Sequence, residues 1–322
     1  MKKSKLAMGA IIVVAGMAIS SGVWAAWPND KPIEIVVGFA PGGGTDTMTR
    51  TLSRFLEKKL GNEARIVVIN KPGAGGELAA TYVARSKPDG YTLGMVNVPG
   101  FIFMPMYRET TYQPEDLSLI ARLVDDPSLI IAKKGSSVPA DLSSIIKRLS
   151  EAPGSLSFGH AGDGTTGHIA LLQLEKLKKI KSTPIPFKGA GEGKMSLMGQ
   201  HIDYAIITQS EAPDLESPTS EFIGIALASK KRKLKSTPTT LDEGINIFTS
   251  SERGIGGPKG LPGDINAKLQ TAIAEVMQDP EYLQAAKNDV PVLSFMPGKE
   301  WEDHLSKSRK ELEPFIPLIK KK

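Results

Sequence analysis

Between Ile33 and Val96 the chain alternates short β-branched runs with helical spacing, and glycine-rich loops stand at two of the junctions. Ile33-Glu34-Ile35-Val36-Val37 has the length and composition of a strand. After the glycines that end at Gly44, the residues Met48, Leu52, Phe55, Leu56 and Leu60 share one face of a helix that Gly61 stops. Arg65 to Ile69 reads as a second strand, Glu77 to Ser86 as a second helix, and Tyr91 to Val96 as a third strand behind an Asp89-Gly90 turn. Strands alternating with helices imply parallel pairing with helices packed over the sheet. Ligands of such open sheets sit at the carboxyl ends of strands. Both glycine loops, Phe39 to Asp46 and Asn70 to Gly76, lie there.

The middle of the chain repeats this grammar. Strand-like segments are Leu129 to Ala132, Leu156 to Phe158, Thr183 to Phe187, Asp203 to Ile207 and Phe222 to Ala228; Pro184 and Pro186 confine the third of these to a sheet edge. Helices are expected from Pro139 to about Leu149, from Thr165 or Thr166 to about Lys178, and near Met195. The last third reads as mostly helical: Pro262 to about Gln278, Glu281 to Asn288, and Lys299 to Ile319 with a break at Pro314. This layout predicts two lobes, with residues 26–126 plus 251–322 in the first and 127–250 in the second.

Residues 1–25 read as a secretion signal. Lys2, Lys3 and Lys5 precede an apolar stretch from Leu6 to about Ile19, and Val23-Trp24-Ala25 supplies the small residues a signal peptidase accepts. Cleavage is expected after Ala25, with Ala26 as the second choice, and a periplasmic location follows. The remaining chain of about 300 residues is long enough for two cores. It has no second apolar stretch of spanning length. The absence of cysteine excludes thiol catalysis, cysteine metal sites and a lipid-anchoring cysteine. The formal charge of +5 falls to about +2 without the three signal lysines, too mild a balance to suggest nucleic acid. The densest basic runs, Lys230-Lys231-Arg232-Lys233 with Lys235 and Lys320-Lys321-Lys322, lack interleaved aromatics and read as solvated segments.

Phe39-Ala40-Pro41-Gly42-Gly43-Gly44-Thr45-Asp46 joins a strand to a helix, so a ligand can approach its backbone closely. A helix start there directs unpaired N–H groups and partial positive charge at whatever binds, which suits an anion. A plain tight turn with Thr45 or Asp46 as the helix cap fits the same residues. No lysine follows the glycines as a nucleotide-binding loop requires, and the dinucleotide glycine spacing is missing. Asn70-Lys71-Pro72-Gly73-Ala74-Gly75-Gly76 repeats the device one strand later, and Gly162-Asp163-Gly164-Thr165-Thr166-Gly167-His168 repeats it in the second lobe. The threonine hydroxyls there either donate to a carboxylate or cap the helix. His160, His168, His201 and His304 have no metal-site spacing, and His168 reads first as a structural hydrogen-bonding residue. No Gly-x-Ser-x-Gly elbow is present. Neither a metal site, a cofactor nor a catalytic group is expected. Glycine-cradled helix starts in both lobes describe a clamp for a small anion.

These residues carry a resemblance. Trp27-Pro28, Lys31-Pro32-Ile33, Val37 to Asp46, Asn70 to Gly76, Val83-Ala84-Arg85, Pro88 to Leu93, Gly164-Thr165, His168, Pro186-Phe187-Lys188-Gly189, Pro238-Thr239, Glu243-Gly244 and Gly257 to Pro262 follow one another as they do in a known family. The chain resembles the extracytoplasmic solute-binding receptors of tripartite tricarboxylate transporters, the Bug family. The resemblance implies an α/β, two-lobed Venus-flytrap fold, each lobe a mainly parallel sheet flanked by helices. It implies a monomer that closes on a di- or tricarboxylate, an aromatic acid or an acidic amino acid and delivers it to membrane permease subunits. A sensor kinase as the listener, and less readily a periplasmic enzyme, are the competing readings. By position, the family's ligand contacts fall on Phe39, Ala40, Gly43, Gly44, Thr45 and Asp46. Gly75, Asn97, Thr165, Thr166, His168, Lys188, Gly189 and Asp203 follow, with Asp46 expected to orient its loop rather than touch the anion. Phe187 stands where the family has tyrosine, and Ala190 to Lys194 and Thr240 also depart from its pattern, which bears on ligand identity.

N-terminal sequencing of the exported protein is expected to read Ala-Trp-Pro-Asn, from Ala26.

Overall fold

A computed structural model describes residues 27–61, 63–230 and 234–319. The segment expected to be a secretion signal, most of the basic run around Arg232 and the terminal lysines lie outside the described residues.

The first lobe opens as the alternation predicts. Strand β1 (Ile33–Val37), helix α1 (Gly44–Leu60), β2 (Ile66–Asn70), α2 (Glu77–Ala84) and β3 (Thr92–Val98) follow in order. β1 pairs in parallel with β2 on one side and β3 on the other. Helix α3 (Gly100–Tyr107) has no counterpart in the sequence reading. Its Gly-Phe-Ile-Phe-Met-Pro-Met-Tyr run is apolar all round, so it shows no face, and it is buried instead.

Strand β4 (Leu117–Lys133) is much longer than the Leu129 to Ala132 segment expected. Up to Pro127 it pairs antiparallel with β9 (Ser250–Pro258), and from Ser128 it pairs antiparallel with β7 (Tyr204–Thr208) and β8 (Phe222–Leu227). The chain therefore enters the second lobe at Pro127 and Ser128 and returns at Thr249 and Ser250. There the Ser128 N–H donates to the Thr249 carbonyl at 2.8 Å.

The second lobe holds α4 (Leu142–Glu151), β5 (Ser157–His160), α5 (Thr166–Lys178), β6 (Thr183–Pro186) and α6 (Ala190–Met198). α4 starts after Asp141, whose side chain accepts from the Ser144 N–H at 2.8 Å, rather than at Pro139. β5 pairs in parallel with β6 and β7, and β6 lies at the sheet edge, where its prolines leave no donor unpaired. The return leg adds α7 (Gly263–Val276), α8 (Pro280–Ala285), β10 (Leu293–Pro297), α9 (Gly298–Leu312) and α10 (Ile316–Ile319), the last two separated by a 3-10 turn at Pro314.

The strands run β2-β1-β3-β9-β4-β7-β5-β6, with β8 and β10 also on β4. The outer strands of each lobe are parallel, while every pairing made by β4 or β9 is antiparallel. One crossing strand leaves and the other comes back, so the sheets are mixed where the sequence reading had them mainly parallel. Apolar side chains cover both faces of each sheet. Phe55, Leu52 and Tyr282 pack on one face of the first and Phe103, Ile102 and Trp301 on the other; Phe158 with Tyr204 and Leu197 with Ile207 do so in the second.

Neighbouring residues of a strand point to opposite faces, and β9 uses this to separate two charges. Arg253 turns into the cleft. Glu252 turns to the helical side, where its carboxylate accepts from Arg122 Nη1 at 2.8 Å, Trp301 Nε1 at 2.9 Å and His304 Nε2 at 3.0 Å. Arg122 also donates to the Ser294 carbonyl and hydroxyl, so this cluster ties β4, β9, β10 and α9 together. Beside the crossing, Asp289 is buried close to Arg253, Asp126 and Ser210. Burial pushes its carboxyl up to about 6 despite the pull of Arg253.

Glu252→Ala leaves Arg122 a buried cation without its partner and is expected to cost ~3–5 kcal/mol in urea unfolding. Asp289 in the folded chain holds a proton, between the ordinary Asp range and pH 6, that the unfolded chain has already lost. Its ionised form is therefore a burden on stability above that window. Asp289→Asn is expected to stabilise the protein at pH 8 by something on the order of 2 kcal/mol, and the gain should vanish as pH falls towards 4.

Candidate functional site

Helix α1 begins without a side-chain cap. Its N-cap is Gly43, not Thr45 or Asp46, and the first helical bond runs from the Thr47 N–H to the Gly43 carbonyl. The N–H groups of Gly44, Thr45 and Asp46 thus fall outside the helical ladder at the cleft. Helix α5 also starts uncapped by a side chain. The Thr165 hydroxyl donates to the Gly162 carbonyl at 2.6 Å, and the Thr166 hydroxyl to the Ser250 carbonyl at 3.5 Å. Each lobe therefore contributes a helix N-terminus to the cleft.

Asp46 braces the first loop from inside. Its carboxylate accepts from the Gly42 N–H at 2.9 Å, Arg50 Nε at 3.1 Å and Asn70 Nδ2 at 2.8 Å. Burial raises its pKa, but the hydrogen bonds and the Arg50 charge outweigh that and hold it below the usual range. Asn70 Nδ2 also donates to the Phe39 carbonyl at 3.0 Å, fixing the two loops of the first lobe to each other.

The lobes touch along these loops. The Ala40 N–H donates to the Lys188 carbonyl at 3.1 Å. Gly75, at φ 67°, passes so near the second lobe that a Cβ on it would stand 2.9 Å from the Asp163 carbonyl oxygen. Only glycine fits that approach and that backbone angle. The Gly44 N–H donates across the cleft to Glu211 Oε1 at 3.0 Å.

Between the lobes lies a cavity of about 60 Å³. Phe39, Gly43, Gly44, Thr45, Gly75 and Asn97 line it from the first lobe; Thr165, Thr166 and Gly189 face them from the second. Ala40 and Lys188 meet through their main chains at its edge, where the Lys188 side chain borders a separate outer cavity of about 450 Å³ with Arg108, Asp163 and Glu192. His168 accepts from the Gly164 N–H at Nδ1, 3.1 Å away, and stacks on His160 with ring centroids 4.5 Å apart, which shapes the third loop from behind. Asp203 is a correction. It lies at the other end of β7, where it accepts from the Ser157 N–H and hydroxyl, each at 2.7 Å, and fastens the start of β5. A residue that opens a parallel strand is a strand's length away from the ends where ligands sit.

His160, Asp163 and His168 also bring three ligand-type atoms within 4.8 Å of one another, a gathering that spacing along the chain did not suggest. Nδ1 of His160 lies 3.0 Å from the Gly162 carbonyl, so both rings hold the loop's backbone.

The sequence reading passed over the charged part of the site. Arg253, 1 % exposed, is the counter-ion of Asp126, and its Nη2 also donates to the hydroxyl of Ser210 at 3.0 Å. Glu211 ends a 3-10 turn that follows β7, and its Oε2 accepts from the Thr208 N–H at 2.9 Å and hydroxyl at 3.1 Å. The signal for Glu211 was available, because a polar residue just after a strand that points at the cleft is placed to meet a ligand. Arg253 had none, since β9 went unrecognised.

The description "Tripartite tricarboxylate transporter family receptor" matches residues 48–298. The UPF0065 protein in gbd 5'region of Cupriavidus necator is 33% identical over 269 residues, which is 81% of this chain and 79% of that one. The solved structure of periplasmic binding protein BugD superposes with a TM-score of 0.78 at 27% identity, covering 91% of this chain and 97% of that one. MatC from Rhodopseudomonas palustris with bound malate gives 0.78 at 28% identity, covering 88% and 97%. The matching family is one of receptors, and BugD is a periplasmic binding protein. The chain belongs to the tripartite tricarboxylate transporter receptor family.

Proposed function

We propose that this chain captures a small organic carboxylate between its lobes in the periplasm and presents it to the membrane subunits of a tripartite transporter. The observation that carries this reading is the pair of uncapped helix N-termini, α1 and α5, on opposite sides of one cavity. Backbone N–H groups at a helix start are donors with partial positive charge, and they hold an anion without a cationic side chain. Thr45 and Asn97 add polar side chains to a lining that also holds Phe39, Val98, Ile206 and Ile207. MatC, similar in fold, holds malate.

The cavity of about 60 Å³ is walled by residues of both lobes. In this reading an organic acid enters as the lobes part, and the joint is the pair of strands β4 and β9. Their backbones pass between the lobes at neighbouring positions, Asp126 beside Ser251 and Pro127 beside Ser250. In this mechanism a ligand bridging α1 and α5 favours the closed arrangement in proportion to the contacts it makes only there.

Thermal unfolding against mono-, di- and tricarboxylates and acidic amino acids tests the reading, with the protein refolded to remove carried ligand. A ligand at about 100 times its Kd adds roughly 2.7 kcal/mol. In Gly44→Val, the added Cβ stands 2.6 Å from Glu211 Cγ and 2.8 Å from Arg253 Nη1. This variant is expected to keep its circular dichroism and lose the ligand-induced shift. An undiminished shift would remove the α1 loop from the site.

A further inference from the structure

We infer that the ligand carries a cationic nitrogen beside its carboxylate, as an amino acid does, and that Glu211 is the residue that selects for it. This rests on the carboxylate reading of the cavity and narrows it.

Glu211 brings a carboxylate to the lining of a cavity whose helix N-termini suit anions. Its position is fixed by its own lobe, because the Thr208 N–H and hydroxyl both donate to Oε2. When the lobes part, the Gly44 N–H leaves with the first lobe and Glu211 stays with the second. It is thus a constant part of the site that a ligand meets.

The cations beside it do not bond to its carboxylate among the described residues: Lys194 Nζ donates to the Glu211 main-chain carbonyl at 2.8 Å. Arg253 is already neutralised by Asp126, which also accepts from the Ser210 N–H and hydroxyl. A second ligand carboxylate turned towards Glu211 would face a like charge in a confined space, which opposes binding. A donor turned the same way finds acceptors with capacity to spare. Glu211 Oε1 accepts one N–H bond, from Gly44, and a carboxylate oxygen has room for a further donor. Asn97 gives its Nδ2 to the Thr45 hydroxyl, and its buried Oδ1 has no hydrogen-bond partner among the described residues.

The complementary end is nearby. Asn97 lies directly opposite Arg253 across β3 and β9, and Arg253 Nε is a buried donor without an acceptor among the described residues. Together with the first-turn N–H groups of α1, this donor suits the ligand's carboxylate. Acceptors and donors side by side in one small cavity match an ammonium and a carboxylate on one small molecule.

Calorimetry on refolded protein with acids that differ only by an amino group tests this: L-aspartate against succinate, and L-glutamate against glutarate. The wild type is expected to bind the amino acid of the preferred pair at least about tenfold more tightly. Glu211→Gln keeps the shape, removes the charge and is expected to erase most of that preference. Equal binding within each pair by the wild type would overturn the inference, as would a preference that survives in Glu211→Gln. If Glu211→Gln binds every acid more tightly by one common factor, Glu211 merely competes for the α1 N-terminus; the inference falls and the carboxylate reading stands. If no acid binds either folded protein, both fall.

Discussion

The structure depends on two antiparallel strands passing side by side between its lobes. β4 carries the chain out and β9 brings it back, and they are joined by backbone hydrogen bonds up to the point where β4 changes sheets. Either strand alone would be a flexible tether. As a pair they fix the relative direction of the two sheets and leave bending about the crossing as the soft motion. The glycine loops of one lobe reach those of the other only because this crossing sets where each sheet's strands end.

Burying Asp126 and Arg253 at this crossing is a physical choice with a cost. An ion pair withdrawn from water gains little net stability, while losing one partner is severe. Here the pair carries further hydrogen bonds from Ser210, a residue of the second lobe, so it welds the return strand to the far lobe's 3-10 turn. That turn ends in Glu211. The same local arrangement that secures the joint therefore also aims a carboxylate into the cavity, coupling the hinge to the ligand wall through three consecutive residues.

The glycine loops act through what they omit. At Gly44 and Gly75 a Cβ would occupy the space in which the lobes meet, against the Glu211 and Arg253 side chains at the first and the Asp163 backbone at the second. Backbone donors are fixed in geometry and do not depend on a side chain's rotamer.

Much of this was legible in the sequence where the signal is local. The period of α1, the β-branched run of β1, the stop at Gly61 and the edge prolines of β6 each reflect the conformation of a few successive residues, and they read correctly. The glycine loops read as anion cradles because a strand, glycines and a helix in succession expose N–H groups wherever they occur. The sequence did not reveal β9, whose Ser-Ser-Glu-Arg-Gly-Ile-Gly-Gly-Pro run lacks alternation because its two faces meet different lobes' needs. It did not reveal α3, which has no polar face to define it. Asp203 looked like a site residue because it stands near a strand, but which end of the strand is decided by direction in the sheet. Local periodicity and backbone chemistry thus determined most of the elements and the glycine-led helix starts. Only the tertiary structure decided which charges enter the cavity, because Asp126, Glu211 and Arg253 are far apart in the chain and are brought together by the crossing of two strands.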